Sequence, residues 1–147
     1  MKHHQRTLAH GFTLVELAIV IVILGLLAAI VVPRFQGQND FAKASATKAA
    51  LGSIRTAITS FRAARAMEDG APRYPTWTEL TTPGIVLNES VVPNPYKDTT
   101  QNDQVLQGQW TQNDPPVFLS DEGWVYDSTN GKFWANSSTD DINENRF

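Results

Sequence analysis

Residues 11–32 read GFTLVELAIVIVILGLLAAIVV, a long apolar stretch with one carboxylate near its start. At a helical rise of 1.5 Å per residue, the run from Phe12 to Val32 would extend about 31 Å, close to the thickness of the hydrocarbon core of a bilayer. Glu16 is its only charged residue, so the run is apolar on every face and predicts a membrane-spanning helix. A secretory signal peptide cleaved after Ala28 or Ala29 is the alternative, although the apolar run continues beyond both residues.

A short basic segment precedes this run. Residues 1–10 contain Lys2, Arg6 and three histidines, and they contain no acidic residue. Positive charge beside a first membrane helix favours keeping that end in the cytoplasm. The sequence therefore predicts a cytoplasmic N-terminus with the remainder outside, although Arg34 and Lys43 on the other side reduce the charge asymmetry.

These features together resemble the class III leader of type IV pilins and of the pseudopilins of type II secretion. The shared features are Gly11, the aromatic Phe12, the carboxylate of Glu16 and an unbroken apolar helix, and both Gly25 and Pro33 also match pilin helices. The resemblance implies cleavage by prepilin peptidase between Gly11 and Phe12, with N-methylation of the new Phe12 amine. It further implies a single pass through the bacterial inner membrane, contact with an inner-membrane assembly platform, and polymerisation into a homopolymer or a filament mixed with other pilins.

Glu16 needs a partner if it lies in a membrane. A carboxylate at the bilayer centre costs roughly 2.5 to 3.5 kcal/mol, and the cost is lower near the interface. Cleavage would create a cation, the Phe12 amine, one helical turn away at the positive end of the helix dipole. Either Glu16 neutralises its own helix end, or, as the resemblance implies, it pairs with the amine of a neighbouring subunit and sets the stagger between subunits.

Gly25 and Pro33 weaken the helix between them. Proline lacks an N–H and clashes with the preceding turn, and glycine destabilises a helix by about 1 kcal/mol relative to alanine. The resemblance suggests that residues 26–32 extend on filament assembly, and a simple kink at Pro33 is the alternative.

Beyond Pro33 the pattern becomes amphipathic, with basic residues between the members of one apolar stripe. Acidic residues, Gly70 and Pro72 then form a stop signal at about residue 69. We expect the stripe to pack on a sheet of the same subunit. Its members are Phe41, Ala44, Leu51, Ile54, Ile58 and Phe61.

Residues 70–147 predict a small β-rich head. Two aromatic runs with alternating pattern, 124–126 and 133–135, flank a turn containing Asn130-Gly131 and predict a hairpin. Weaker strand patterns occur at 116–119 and 85–87, and the polar stretch 98–113 predicts a loop. The expected fold is α+β, a long N-terminal helix packed on a small antiparallel sheet. Its expected divisions are a leader at 1–11, a transmembrane helix at 12–33, an amphipathic helix at 34–69 and the head at 70–147.

The charges are unevenly distributed along the chain. Residues 34–73 contain seven basic and three acidic residues, a net charge of +4, whereas residues 74–147 contain three and eleven, a net charge of −8. Such segregation permits complementary contacts between stacked subunits, and it also permits neutralisation within one subunit. Binding of nucleic acid by the basic helix is disfavoured, because in a filament such a helix is normally buried.

Cysteine is absent, so packing, hydrogen bonds or a metal ion must hold the loops that many pilins close with a disulfide. The resemblance to major pseudopilins raises the possibility of calcium, which prefers oxygen ligands. Solvated surface acids are the alternative reading of the same residues. The candidates are Asp121, Glu122, Asp127, Asp140 and Asp141.

An enzyme is not expected. All three histidines lie in the predicted leader and there is no cysteine, which removes the usual general base, thiol nucleophile and zinc ligands from the processed chain. The sequence instead predicts a structural subunit of a type IV pilus or pilus-like filament. A pseudopilin of a type II secretion system is the first alternative, and a monomeric membrane-anchored binding protein is the second.

Overall fold

The structure is a computed structural model that describes residues 11–110, 115–139 and 142–147, without the side chains of residues 32–37. The predicted leader up to residue 10, part of the predicted loop at 111–113, and the calcium candidates Asp140 and Asp141 lie outside the described residues. The chain divides into two compact units between Asn39 and Asp40.

Helix α1 is the longest element and runs from Leu14 to Glu68. It ends where the sequence places a stop signal, and Gly70 follows with a φ of 70°, a conformation that favours glycine. The backbones of Gly25 and Pro33 lie inside α1, so residues 26–32 are helical in the isolated chain. Their extension on assembly stays a prediction.

The C-terminal part of α1 packs on a sheet in the same subunit, as expected. Leu51, Ile54 and Ile58 are buried in one cluster with Trp124 and Phe133. A buried polar residue of α1, Thr47, satisfies its hydroxyl by donating to the carbonyl of Lys43, 2.9 Å away.

The prediction that Phe41 belongs to the buried stripe is wrong, because its side chain is 77% exposed. Successive residues of an α-helix are rotated by about 100°, so Phe41 lies roughly 80° from Leu51 and roughly 160° from Phe61. The stripe contains three spacings of three residues and only one of four, so its members drift around the helix and off the face that packs.

The sheet has three strands in the order β1-β2-β3, namely β1 at Val105–Gln107, β2 at Trp124–Asp127 and β3 at Lys132–Ala135. Strands β2 and β3 form the predicted antiparallel hairpin, with Trp124 opposite Ala135 and Tyr126 opposite Phe133. Strand β1 pairs parallel to β2, with Val105 opposite Trp124. The α+β fold class is confirmed, and the sheet is mixed instead of wholly antiparallel.

The hairpin turn depends on Asp127 and Gly131. Gly131 has a φ of 71° and its N–H donates to the Asp127 carbonyl over 2.8 Å. The Asp127 carboxylate accepts hydrogen bonds from the N–H groups of Thr129 and Trp110, both 2.9 Å away, and from the amide of Asn130. Burial alone would raise the pKa of Asp127, but these hydrogen bonds together lower it.

Both faces of the hairpin are buried, so the alternation of the two aromatic runs does not separate a core face from a solvent face. Trp124, Val125, Tyr126 and Trp134 are all fully buried. On the face away from the α1 cluster, Trp110 packs edge-on against Trp134 with ring centroids 5.3 Å apart. An irregular segment therefore covers the second face.

The two weaker strand predictions are wrong. Segment 116–119 belongs to that irregular cover, because Pro116 has no N–H and the N–H of Phe118 donates to the Asn136 side chain over 2.7 Å. Segment 85–87 lies in a turn closed by a 2.6 Å hydrogen bond from Gly84 N–H to the Leu87 carbonyl. The predicted loop at 98–113 instead contains β1, which is too short to produce a periodic pattern.

Buried asparagines hold the loops of this cysteine-free head. The Asn94 amide donates to the Gly123 carbonyl over 2.7 Å and to the Ser137 hydroxyl over 3.0 Å. The Asn136 amide donates to the Glu122 carbonyl over 2.9 Å. Both asparagines are fully buried, and their hydrogen bonds connect three loops directly.

Helix α2, at Trp77–Thr81, begins with a capping box. This short helix was not predicted from the sequence. The hydroxyl of Thr76 accepts from the Glu79 N–H, and the Glu79 carboxylate accepts from the Thr76 N–H over 2.8 Å. Arg73 forms two 2.7 Å hydrogen bonds to the same carboxylate. The Thr-x-x-Glu spacing at 76–79 is a known sequence signature of such a start.

The Arg73 pair makes stability depend on pH through Glu79. Hydrogen bonds from Arg73 and, to a smaller extent, from Thr76 lower the pKa of Glu79 from 4.5 to about 2. Because the folded-state pKa is depressed, the stabilisation is present above pH 4.5 and is lost as the pH falls toward about 2. We expect wild type to exceed Glu79→Gln in free energy of unfolding at pH 7, and the gap to close over that range.

Urea unfolding of both proteins across this pH range measures the gap. Glutamine can still serve in a capping box, so the comparison isolates the charge of the carboxylate. Glu89→Gln is the matched control, since Glu89 is exposed and forms no ion pair with a described residue. A gap that stays constant with pH would contradict the assignment to Glu79.

Candidate functional site

Thr13 and Glu16 form a second capping box at the start of α1. The N–H and the hydroxyl of Thr13 each donate to Oε2 of Glu16 over 2.9 Å, and the Glu16 N–H donates to the Thr13 hydroxyl over 3.1 Å. The carboxylate thus lies at the positive end of the helix dipole. Glu16 was predicted from the sequence, whereas the role of Thr13, which the Thr-x-x-Glu spacing indicates, was not.

The apolar segment that follows this box is uncovered in the isolated chain. Residues Leu14–Val31 are long and apolar enough to cross a membrane, and none of them is buried. Phe12, next to the predicted cleavage point, is 83% exposed. An apolar surface on all sides of a helix requires lipid or other protein as its surroundings, which fits a transmembrane segment.

Gly11 and Gly25 pack closely against no other described residue. A Cβ atom built on either residue would meet nothing within 4 Å. Neither glycine is therefore required by close packing in the isolated chain. An effect of substituting Gly11 would point to processing or assembly, whereas Gly25 also affects helix propensity.

The structure does not bring the described calcium candidates together. Among residues 11–110, 115–139 and 142–147, no group of three or more His, Cys, Asp or Glu side chains could hold a metal ion. Asp127 accepts hydrogen bonds within its own turn, and Glu122 lies beside Lys97, whose ammonium group donates to the Ser120 carbonyl. Calcium binding stays a prediction.

Comparisons with known proteins identify the family of this chain. Residues 6–32 match the profile of the prokaryotic N-terminal methylation motif. The type II secretion system core protein G of Aeromonas hydrophila is 31% identical over 108 residues, which cover 72% of this chain and 71% of that protein. The chain belongs to the family of type IV pilins and type II secretion pseudopilins.

Shorter matches come from both branches of the family. The core protein G of Pseudomonas aeruginosa is 41% identical over 58 residues, 40% of this chain and 41% of that protein. The major component of the type IV narrow pilus of Thermus thermophilus is 53% identical over 49 residues, 33% of this chain and 42% of that protein. The chain thus spans about two fifths of the length of these two relatives. No solved structure matches it.

Proposed function

We propose that this protein is a structural subunit of a type IV pilus or pilus-like filament, processed between Gly11 and Phe12 and polymerised through α1. The observation that carries the proposal is the capped carboxylate of Glu16 at the head of an uncovered apolar helix. The match to the methylation motif over residues 6–32 supports processing at this position.

Before assembly, the apolar helix would anchor the subunit in the bacterial inner membrane with the leader in the cytoplasm. Prepilin peptidase would remove the leader, and the N-methylated amine of Phe12 would then carry a positive charge. Pairing of this amine with Glu16 of a neighbouring subunit would neutralise both charges away from water. An inner-membrane platform would pass subunits into the filament, whose core the apolar helices would form.

A pseudopilin of a type II secretion system is the second candidate. It is favoured by the length of the match to the Aeromonas protein, which at 108 residues reaches into the head, whereas the match to the narrow pilus component spans 49 residues. Deleting the gene distinguishes the two. Loss of surface filaments with normal protein secretion indicates a pilus, and failure to release secreted enzymes indicates a pseudopilus.

The family is structural, and we propose that this chain has no catalytic activity. A monomeric binding protein anchored by the same helix would also expose an apolar segment. Site-specific photocrosslinking at the neighbouring Leu17, which is exposed and leaves Glu16 intact, separates these functions, because only a polymer places the start of α1 beside a neighbouring copy.

Replacing Gly11 by valine tests processing. We expect intact mass and N-terminal sequencing of wild type to give a chain that begins at N-methylated Phe12, and Gly11→Val to retain its leader and form no filaments. A Cβ at Gly11 meets no described atom within 4 Å, so packing of the described residues does not require glycine at this position. Gly52→Val is the matched control, since position 52 is equally open. An uncut wild type, or normal filaments from Gly11→Val, would overturn the proposal.

A further inference from the structure

One side of α1 carries three cations at seven-residue spacing, Lys48, Arg55 and Arg62. Seven residues are close to two helical turns, so these side chains follow one line about 21 Å long. Lys132, at the start of β3, lines the same surface depression as Arg55. We call these four residues the cationic ridge.

Aromatic rings and a carbonyl hold the ridge in place. The Nε of Arg55 donates to the Phe133 carbonyl over 3.0 Å. Each of the other three cations lies over an aromatic ring, and the distances to the ring centroids are 4.3 Å from Lys48 to Phe147, 4.8 Å from Arg62 to Tyr74 and 4.0 Å from Lys132 to Trp110. Such contacts orient a cation and leave its charge available to an anion.

The charge of the ridge is not neutralised within the described part of the subunit. None of its four members forms an ion pair with a described carboxylate. A row of fixed, unpaired cations predisposes a surface to bind an anionic partner, because little side-chain entropy remains to be lost on binding.

A cleft of about 510 Å³ lies beside β1, the strand at the other edge of the sheet from β3. Its wall includes Trp77 and Val105 together with two acidic side chains, Asp103 and Glu122. Asp103 is exposed and forms no ion pair with a described residue, whereas Glu122 interacts with Ser120 and with the nearby Lys97. We call this surface the acidic cleft.

We infer that the cationic ridge of one copy of this chain docks against the acidic cleft of the next copy, an inference that rests on the proposed filament function. The ridge would supply N–H donors to the exposed carboxylate of Asp103. Because the two surfaces do not overlap, each copy can use both at once. Such a heterologous contact repeats from copy to copy and generates an open helical assembly.

A second copy accounts for both surfaces, whereas a polyanion such as nucleic acid would account for the ridge alone. The opposite signs of the two surfaces would also set the direction in which copies stack, since ridge against ridge and cleft against cleft repel. The occupant that the charges favour is therefore this chain itself.

Charge reversal in the full-length chain tests the contact. We expect Lys132→Glu and Asp103→Lys each to lower the yield of sheared filaments roughly tenfold, because each places like charges opposite one another. Combining the two reversals restores the attraction and should return most of the yield. Both residues are exposed, and melting curves of the detergent-solubilised variants check that the head still folds.

Two matched controls carry the same changes away from the contact. Lys43→Glu alters a helix cation that lies over Tyr96 and off the ridge line, and Asp98→Lys alters an exposed acid outside the cleft. Both are expected to leave the filament yield unchanged. A similar loss in the controls would show a general charge effect and would overturn the inference.

The absence of cysteine provides a direct readout of the contact. Lys132→Cys and Asp103→Cys in one chain should form intermolecular disulfides within filaments upon oxidation, seen as a ladder on a non-reducing gel, and neither single variant should. Normal filaments without the ladder would overturn the inference and leave the proposed function intact. A normal filament yield from Lys132→Glu together with a loss of DNA binding would do the same. Absence of filaments and crosslinks from wild type and every variant would overturn both.

Discussion

Replacing Glu16 by glutamine is expected to abolish filament assembly while leaving the start of α1 intact. Glutamine can accept the hydrogen bonds that Thr13 donates to Glu16, so the capping box remains. The negative charge is lost, and the processed Phe12 amine would then have no counter-charge in an apolar filament core. Removing one partner of a buried ion pair costs roughly 3 to 5 kcal/mol. That cost weakens each subunit addition more than a hundredfold.

The measurement is the amount of sheared filament relative to the amount of processed subunit in membranes. Thr13→Ala is the matched control, because it removes the hydroxyl that caps α1 and keeps the carboxylate. Loss of an N-cap costs about 1 kcal/mol, so we expect its filament yield to fall about fivefold. If Thr13→Ala were as severe as Glu16→Gln, helix capping and not charge pairing would be the function of this site.

The elements predicted well from sequence are those with a strong local pattern. The apolar run, the stop signal after Glu68 and the hairpin around Gly131 each depend on residues close together in the chain. The N-terminal motif is equally local, which is why Gly11, Phe12 and Glu16 can be selected from the sequence alone. The comparisons confirm the family, while the individual roles of these residues remain proposals.

The features that were missed depend on contacts between distant segments. Strand β1 is only three residues long and forms because Val105 pairs with Trp124, nineteen positions away. Burial of the second face of the hairpin requires Trp110 and Pro116, whose carbonyl accepts from the Trp134 indole. Such contacts leave no periodic pattern in the sequence, because an irregular segment can cover a face of the sheet without alternating apolar and polar residues.

The capping boxes are a different kind of omission. Thr13 with Glu16 and Thr76 with Glu79 both have the Thr-x-x-Glu spacing, so a local signal was present. Glu16 lies in an apolar run, where the cost of a carboxylate in a membrane helix is the more prominent feature. Helix α2 has only five residues, too few to show a helical period. The capping signature by itself marks both helix starts.

Replacing Gly123 by alanine is expected to unfold the head. A Cβ at this position would lie 1.8 Å from the carbonyl oxygen of Asn102 and 2.9 Å from Cβ of Asn94. That carbonyl is fixed, since it accepts a 2.9 Å hydrogen bond from the Asn94 N–H. Relief of the clash would break the asparagine contacts that replace a disulfide. We expect a loss of more than about 4 kcal/mol, against a total stability of about 5 to 15 kcal/mol for a typical domain.

Tryptophan fluorescence during urea unfolding measures this loss in detergent-solubilised full-length chain, because Trp124 is the next residue and is fully buried. Gly52→Ala is the matched control, since a Cβ there meets nothing within 4 Å on an exposed face of α1. It should stabilise the chain by up to about 1 kcal/mol. A Gly123→Ala variant within about 1 kcal/mol of wild type would mean that the 94–102 loop moves without losing its hydrogen bonds. The asparagine hydrogen bonds would then contribute little to the stability of the head, which would come mainly from packing of the hairpin on α1.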